Sequence, residues 1–335
     1  MKTKILENKG LLVFLLIALL FPLFSVSSSS VLYTGTLVLI YVIITNGLNV
    51  LIGYGGQISI GHASFLAIGA YVSAIFTLNF GISFVLAIIL SGLVTALIGF
   101  IVGLPAVKLS GHFLAVATLG FGVAVPEVLL KWDAVTGGFS GLFPERPIIL
   151  GVVYDTDLKL YFLALGITVI VTLLINNLIK GRIGRAFVAI RESEVAATSM
   201  GINVPFYKAL MFSVSAFYTG VAGSLYAHFI GFISPHDFNI NISFTVLAMA
   251  IIGGLSSKIG PIIGALVLTF IPQFTDHVPG LSLVLTGVAM VIVILFLPEG
   301  LASISGKFKR KSQRKRKNAF FTNEERVKAG EKSVL

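Results

Sequence analysis

From Gly10 to Val107 the chain reads GLLVFLLIALLFPLFSVSSSSVLYTGTLVLIYVIITNGLNVLIGYGGQISIGHASFLAIGAYVSAIFTLNFGISFVLAIILSGLVTALIGFIVGLPAV, 98 residues with no Asp, Glu, Lys or Arg. A helix crossing a bilayer takes roughly 20 residues, so this one interval holds about four crossings. Turn-forming residues divide it at Ser27–Ser30, Gly53–Gly61 and Asn79–Gly81. Downstream, the charge-free intervals Leu109–Pro126, Leu160–Ile179, Ala209–His236, Phe238–Ser257, Ile259–Thr275 and His277–Pro298 are mostly close to the length of one crossing. The reading places spans at 11–26, 31–52, 63–79, 82–103, 112–130, 160–179, 209–231, 243–255, 259–275 and 281–298. Composition agrees. Of 335 residues, 56% are hydrophobic and 11% charged, less than half the charge of an ordinary globular domain. So few charges cannot screen so much apolar surface from water, and lipid must solvate most of the chain. With no cysteine, disulfides, thiolate metal sites and a cysteine nucleophile are excluded.

Charge also sets direction. With the N-terminus in the cytoplasm and sides alternating, 21 of the 24 Lys and Arg fall on cytoplasmic segments, and only Lys131, Arg146 and Lys159 fall outside. That bias is the one the positive-inside rule demands. The expected fold is all-α, a polytopic integral membrane protein of about ten transmembrane helices (eight to ten), with broken or re-entrant elements near 53–62 and 253–261. The lower counts apply if 243–255 and 259–275 form one re-entrant or broken element. Residues 1–10 are read as a cytoplasmic N-terminus, 11–299 as the membrane unit with a cytoplasmic loop at 180–208, and 300–335 as a basic cytoplasmic tail with a disordered composition. Lys2, Lys4 and Lys9 ahead of Leu11–Phe24 resemble a signal peptide. No Ala-x-Ala site follows, and the segment is read as a retained first span.

Four segments interrupt the apolar pattern. In Asn46–Phe65, Gly53, Gly55, Gly56 and Gly61 break the helix, with Gln57, Ser59 and His62 between them. Unwound backbone at membrane depth is tolerated only inside protein or along a cavity, so such a break points to a transport pathway. A polar turn or close packing by small residues reads the same way. A second break, Ile252–Pro261, echoes the first with Gly253, Gly254, Ser256 and Gly260. Thr136, Gly137 and Gly138 lie in the largest external loop, where glycine amides can receive a carboxylate or simply form a surface turn. The fourth segment is Lys180–Lys208. Val188–Met200 reads as a short helix containing Ala196 and Ala197, with Gly201 as its C′ residue. A small-residue helix held between two spans suits docking into a groove on a partner.

The spacing Ala196-Ala197-x3-Gly201 after Glu194 resembles the coupling loop of ATP-binding-cassette importer permeases. Together with GLNVLIGYGGQISIGH at 47–62, Ala189–Glu192, Thr136–Gly138, Ile233–Pro235, Gly253–Leu255 and Phe296–Gly300, the chain resembles the LivM-type permeases of branched-chain amino-acid transporters over roughly residues 35–301. Two departures stand out. Val195 occupies the place of the importer motif's Glu, with Glu194 one residue earlier, and the basic tail lies outside the family pattern. The resemblance implies a second permease subunit (LivH-like), two ATP-binding subunits (LivG-like and LivF-like) and an external substrate-binding protein. It also implies ATPase coupling through Arg191, Glu192, Glu194, Ala196, Ala197 and Gly201. The two glycine breaks and the Thr136–Gly138 turn are expected to shape the amino-acid path.

The chain itself carries no Gly-x4-Gly-Lys-Ser/Thr phosphate loop, so no enzyme activity and no cofactor are expected. A urea or short-amide permease of the same family is the runner-up. An ion-coupled carrier would need intramembrane ionisable pairs, and the nearest, Glu127, sits alone at a span end behind Pro126. An intramembrane enzyme lacks a site, because the five His are scattered with no His-Glu-x-x-His pattern. Lys307–Lys317 holds eight Lys or Arg in eleven residues. Next to a span such a cluster attracts anionic lipid at about 1 kcal/mol per basic residue, and nucleic acid is not an expected partner.

Overall fold

The computed structural model describes residues 9–25, 29–105, 109, 111–149, 151–275, 280–297 and 300–302. Lys2, Lys4, Lys108 and the basic tail from Ser303 onward lie outside the described residues. The chain is mainly helical. It runs through α1 (Lys9–Ser25), α2 (Ser29–Leu48), a π-helical turn (Asn49–Tyr54), α3 (His62–Phe80), α4 (Phe84–Gly103), α5 (His112–Lys131) and α6 (Asp157–Lys180). There follow α7 (Arg182–Glu192), α8 (Glu194–Ser199), α9 (Val204–Ile230), α10 (Ile240–Gly253), α11 (Gly260–Thr275) and α12 (Leu281–Phe296). The loop between α5 and α6 adds a small antiparallel hairpin, β1 (Ile148–Ile149) with β2 (Val152–Val153), in which Ile148 faces Val153.

Helices lie over the predicted spans, but six have the length and apolarity of a crossing: Ser30–Tyr54, α3, α4, α5, α6 and α9. At 14 and 16 residues, α10 and α11 reach about 21 and 24 Å at 1.5 Å per residue, short of the roughly 30 Å hydrocarbon core. The expected span 31–52 is also not one regular helix, because its last turn widens to π geometry at Asn49.

α9 is the central helix, packed against α4, α3 and α2. Lipid tails are as apolar as leucine, so close approach of backbones, not hydrophobicity, holds such helices together. Small residues permit that approach. A methyl group on Gly69 would overlap the carbonyl of Gly220, one on Gly223 the carbonyl of Leu66, and one on Gly99 the Cβ of Ala216. Hydroxyls reinforce the seam: Ser91 Oγ donates to the Gly220 carbonyl at 3.3 Å. Around it Ile40, Ile43, Phe212 and Leu225 form the main apolar cluster. α6 packs along α2, with Thr168 Oγ1 donating to the Leu39 carbonyl at 3.2 Å. Tyr161 Oη reaches the Ala18 carbonyl of α1 at 2.7 Å. α10 and α11 are pressed together, and a methyl on Gly264 would overlap the Met249 carbonyl.

A bulky side chain in the central seam should therefore act where an equal one on open surface does not. Gly220→Leu is expected to lower stability by about 1–3 kcal/mol or to prevent folding. Gly166→Leu, on α6 with open space beyond its Cα, should change it by less than about 0.5 kcal/mol. Thermal unfolding of the detergent-solubilised protein checks both.

Candidate functional site

The first glycine break begins where α2 widens. Within and after the π-helical turn, Gly55 N–H donates to Val50 O at 3.1 Å, Gly56 N–H to Ile52 O at 3.0 Å and Gln57 N–H to Leu51 O at 3.1 Å. Gly56 then turns at φ +67°, and residues 56–61 run without helix into α3. The second break follows α10. Gly254 and Ser256 both have positive φ, and Ser256, at 60°, is the only non-glycine among the described residues to do so. Such a conformation costs a serine about 1–3 kcal/mol. Ser257 Oγ then accepts from the amides of Ile259 and Gly260 at 3.3 and 3.1 Å, starting α11.

These two breaks meet. Asn49 Oδ1 accepts from Ser256 N–H at 2.9 Å while its Nδ2 donates to the Ser257 carbonyl at 2.9 Å. Ser256 Oγ donates to the Gly53 carbonyl at 2.6 Å. Gly53 has no room for a side chain: a Cβ there would overlap Asn49 Oδ1 and sit 2.6 Å from Ser256 N. Into the same point comes Arg191 from the end of α7. Its Nη1 donates to the Gly53 carbonyl and to Ser256 Oγ, each at 2.6 Å, and its Cγ lies 3.0 Å from where a Cβ on Gly56 would be. Three of the four segments singled out in the sequence thus join at one end of the bundle, the common side that alternation had assigned them.

Inward of this point Gln57, Ser59, Gly61 and His62 are buried, and the chain is held by hydroxyls from three other helices. Thr118 of α5 accepts from Ile60 N–H at 3.0 Å, and Ser243 of α10 from Ala63 N–H at 2.9 Å. His62 and Ser59 are each 1% exposed. His62 Nε2 lies 2.8 Å from Ser215 Oγ of α9, and its Nδ1 lies 3.4 Å from Ser59 Oγ. Gln57 turns back to the Gly55 carbonyl at 3.4 Å, and Gly61 N–H donates to Ser59 Oγ at 3.5 Å. Among the described residues no three His, Asp or Glu side chains gather into a metal site. The arrangement is one of unwound backbone hydrogen-bonded to side-chain hydroxyls, with His62 bridging Ser59 and Ser215. Sequence reading does not single out Thr118, Ser215 and Ser243, whose signal is no more than a hydroxyl on a largely apolar span.

The expected helix Val188–Met200 is two helices. Ser193, at φ −163° and ψ 115°, interrupts it and caps α8 by accepting from Ala196 N–H at 3.2 Å, a role serine fills well. α8 ends as expected at Gly201. Gly201, at φ +80°, donates to Thr198 O at 2.9 Å and Ile202 to Ala197 O at 3.0 Å, the paired bonds of a Schellman motif. Ala197 is buried, whereas Ala196 and Glu192 are exposed, and Val195 and Met200 are 79% and 77% exposed. Glu194 turns inward to Lys208, Oε1 to Nζ 2.7 Å. Lys208 is 1% exposed, and a buried ammonium must be paired. Sequence reading had counted Lys208 only as one more cytoplasmic charge.

The Thr136–Gly138 turn lies elsewhere. Gly137 N–H donates to the Asp133 carbonyl at 2.9 Å and Gly138 N–H to Thr136 Oγ1 at 3.3 Å. Thr136 Oγ1 itself donates to the Leu129 and Trp132 carbonyls, at 2.5 and 2.9 Å. Leu142 pairs in both directions with Ile233, just past the far end of α9. Since α9 has 27 residues, this end stands about 40 Å from the first. His228 fastens the loop there, its Nδ1 donating to the Glu145 carbonyl at 2.7 Å.

Comparison with known proteins fits this framework. Residues 30–294 match the family model described as branched-chain amino acid transport system / permease component. The chain is 35% identical over 315 residues to the high-affinity branched-chain amino acid transport system permease protein LivM of Salmonella typhimurium, covering 87% of this chain and 74% of that one. It is 33% identical to the protein of the same description from Escherichia coli, with the same coverage. A probable LivM permease protein of Methanocaldococcus jannaschii is 24% identical, over 78% of this chain and 90% of that one. No solved structure matches significantly. The chain belongs to the branched-chain amino acid transport permease family and is a multi-pass membrane protein.

The Lys208–Glu194 pair gives a direct test of how the loop is held. Glu194→Gln leaves a buried cation without its anion and is expected to cost about 1–3 kcal/mol, below the fully buried figure because Glu194 is about half exposed. Lys208→Met combined with Glu194→Gln should recover most of that loss. A double-mutant cycle by thermal unfolding in detergent measures the coupling.

Proposed function

We propose that this chain is the membrane permease subunit of an ATP-binding-cassette importer that takes branched-chain amino acids into the cell. Family membership supports the substrate class. The observation that carries the mechanism is that the loop α7–α8, with Val195 and Met200 exposed, is bonded directly to both broken membrane elements through Arg191. A loop of this kind offers a partner an apolar surface at one side and a connection to the membrane path at the other.

In this reading the chain does no chemistry of its own. Two ATP-binding subunits drive the transporter through the coupling loop Arg191–Gly201, contacting its exposed side at Glu192 and Ala196. A second permease completes the membrane path, and an external binding protein delivers the amino acid near Thr136–Gly138. Gly53–His62 and Gly253–Gly260 shape the path itself. The loop 180–208 and both termini face the cytoplasm, since the positive-inside rule puts 21 of 24 basic residues there. α1, α10, α11 and α12 add to the six long spans to give ten membrane helices, with α10 and α11 meeting at a break. The tail 300–335 associates with anionic lipid.

Gly201→Pro tests the coupling role. Proline cannot adopt φ +80° and lacks the N–H that Thr198 O accepts. The variant should insert normally yet lose uptake and binding-protein-stimulated ATP hydrolysis in proteoliposomes containing the whole complex. Unchanged stimulation would remove the loop from the coupling path. The wild-type chain reconstituted alone should transport no leucine, with or without ATP.

A further inference from the structure

We infer that Arg191, Asn49 and Ser256 form a transmission node that ties the coupling loop to the two broken membrane elements, so that Arg191 acts inside the permease and not as a contact for the ATPase. The inference deepens the function proposed above and rests on it. Three pieces of chain with no local connection converge on the Gly53 carbonyl. Arg191 is 138 residues away in sequence and Ser256 is 203 away. That carbonyl receives two donors at 2.6 Å, one of them charged, and hydrogen bonds from ionised donors are about twice as strong as neutral ones. Asn49 closes the other side by bonding both the amide of Ser256 and the carbonyl of Ser257. Removing any of the three side chains leaves the two breaks joined by fewer bonds while all helices keep their own.

The node is built to move as well as to hold. Arg191 stands at the penultimate position of α7, and only Glu192 and Ser193 separate it from α8, so a displacement of α8 displaces the guanidinium. The Gly53 carbonyl lies within a π-helical turn, a widened register with an α-helical alternative, of the kind that recurs at functional sites. Ser256 is held at φ 60°, a conformation a serine keeps only when its surroundings enforce it. Withdrawing Arg191 therefore takes one donor from the turn and one from the serine hydroxyl at the same time. The first consequence reaches Gln57–His62 along the unwound chain, and the second reaches α11 through Ser257. Arg191 is a positioning residue in this scheme. It touches neither substrate nor nucleotide.

The test uses the assembled complex with its ATP-binding subunits, second permease and binding protein, in proteoliposomes, with radiolabelled leucine as the transported probe. Ser256→Gly tolerates the backbone conformation and removes the hydroxymethyl group, Arg191→Met removes the donors, and Asn49→Ala removes the second clasp. The expected result is intact assembly with leucine taken up per ATP hydrolysed falling about tenfold or more in Arg191→Met, the factor for losing one charged hydrogen bond. Smaller falls are expected in the other two. Arg191→Lys should recover part of the ratio, because it keeps the charge but not the planar fork. A wild-type ratio in all three variants overturns the node, and so does a Ser256→Gly complex that fails to assemble, which would make these contacts packing alone. Wild-type uptake that needs no ATP would instead overturn the energised-permease reading beneath it.

Discussion

A backbone carbonyl or amide released from a helix in apolar surroundings must find another partner, because no water is there to supply one. This requirement organises the molecule around its broken segments. The Gly53 carbonyl is met by Arg191 and Ser256, and the Ile60 and Ala63 amides by Thr118 and Ser243. The partners come from α5, α7, α10 and the turn that follows α10. The breaks are therefore where the bundle is most heavily cross-linked by polar contacts, although they are where its regular structure stops. A change at any one of these helices is felt at the unwound chain.

The partners are mainly short hydroxyls. A serine or threonine satisfies a backbone group without the desolvation cost of a charge. The central seam follows the same economy of side chain. Gly69, Gly220 and Gly223 let α3 and α9 touch backbone to backbone, which concentrates α9 at the centre and puts one of its ends beside the Arg191 node and the other beside the Thr136 loop. A long, closely packed helix joining the two ends suits a permease that must relate events on opposite membrane faces.

The helical intervals were legible because each span in lipid must be apolar along its whole length, so charges mark the ends. That signal weakened at α10–α12, helices of 14 to 16 residues, where 243–255 and 259–275 read either as two short spans or as one broken element. The break at Ser193 was passed over because Val188–Met200 has good helical composition on either side, and one serine decides between a continuous helix and a cap. The glycine breaks were visible as interruptions, but their meeting was not, since Asn49 and Ser256 are separated by 207 positions. Lys208 shows the same limit. In sequence it is a basic residue before a span, and only tertiary packing reveals that it is buried and committed to Glu194.

That commitment also accounts for the chain's departure from the importer pattern. The acid stands at Glu194 and not at 195, one step around a short helix, or about 100°. At 194 the carboxylate faces the bundle and neutralises Lys208 at 2.7 Å, where the alternative is an unpaired buried cation. Position 195 then points away, and it is valine, 79% exposed. Met200 just past α8 is likewise exposed, so two apolar side chains stand out among the exposed Thr198 and Ser199, and covering apolar surface is favourable by about 25 cal/mol per Å². Glu194 thus anchors the loop inward while Val195 and Met200 face outward. Under the coupling role proposed above, this division lets α8 meet a partner through its outer side chains while Glu194 keeps its hold on Lys208 of α9.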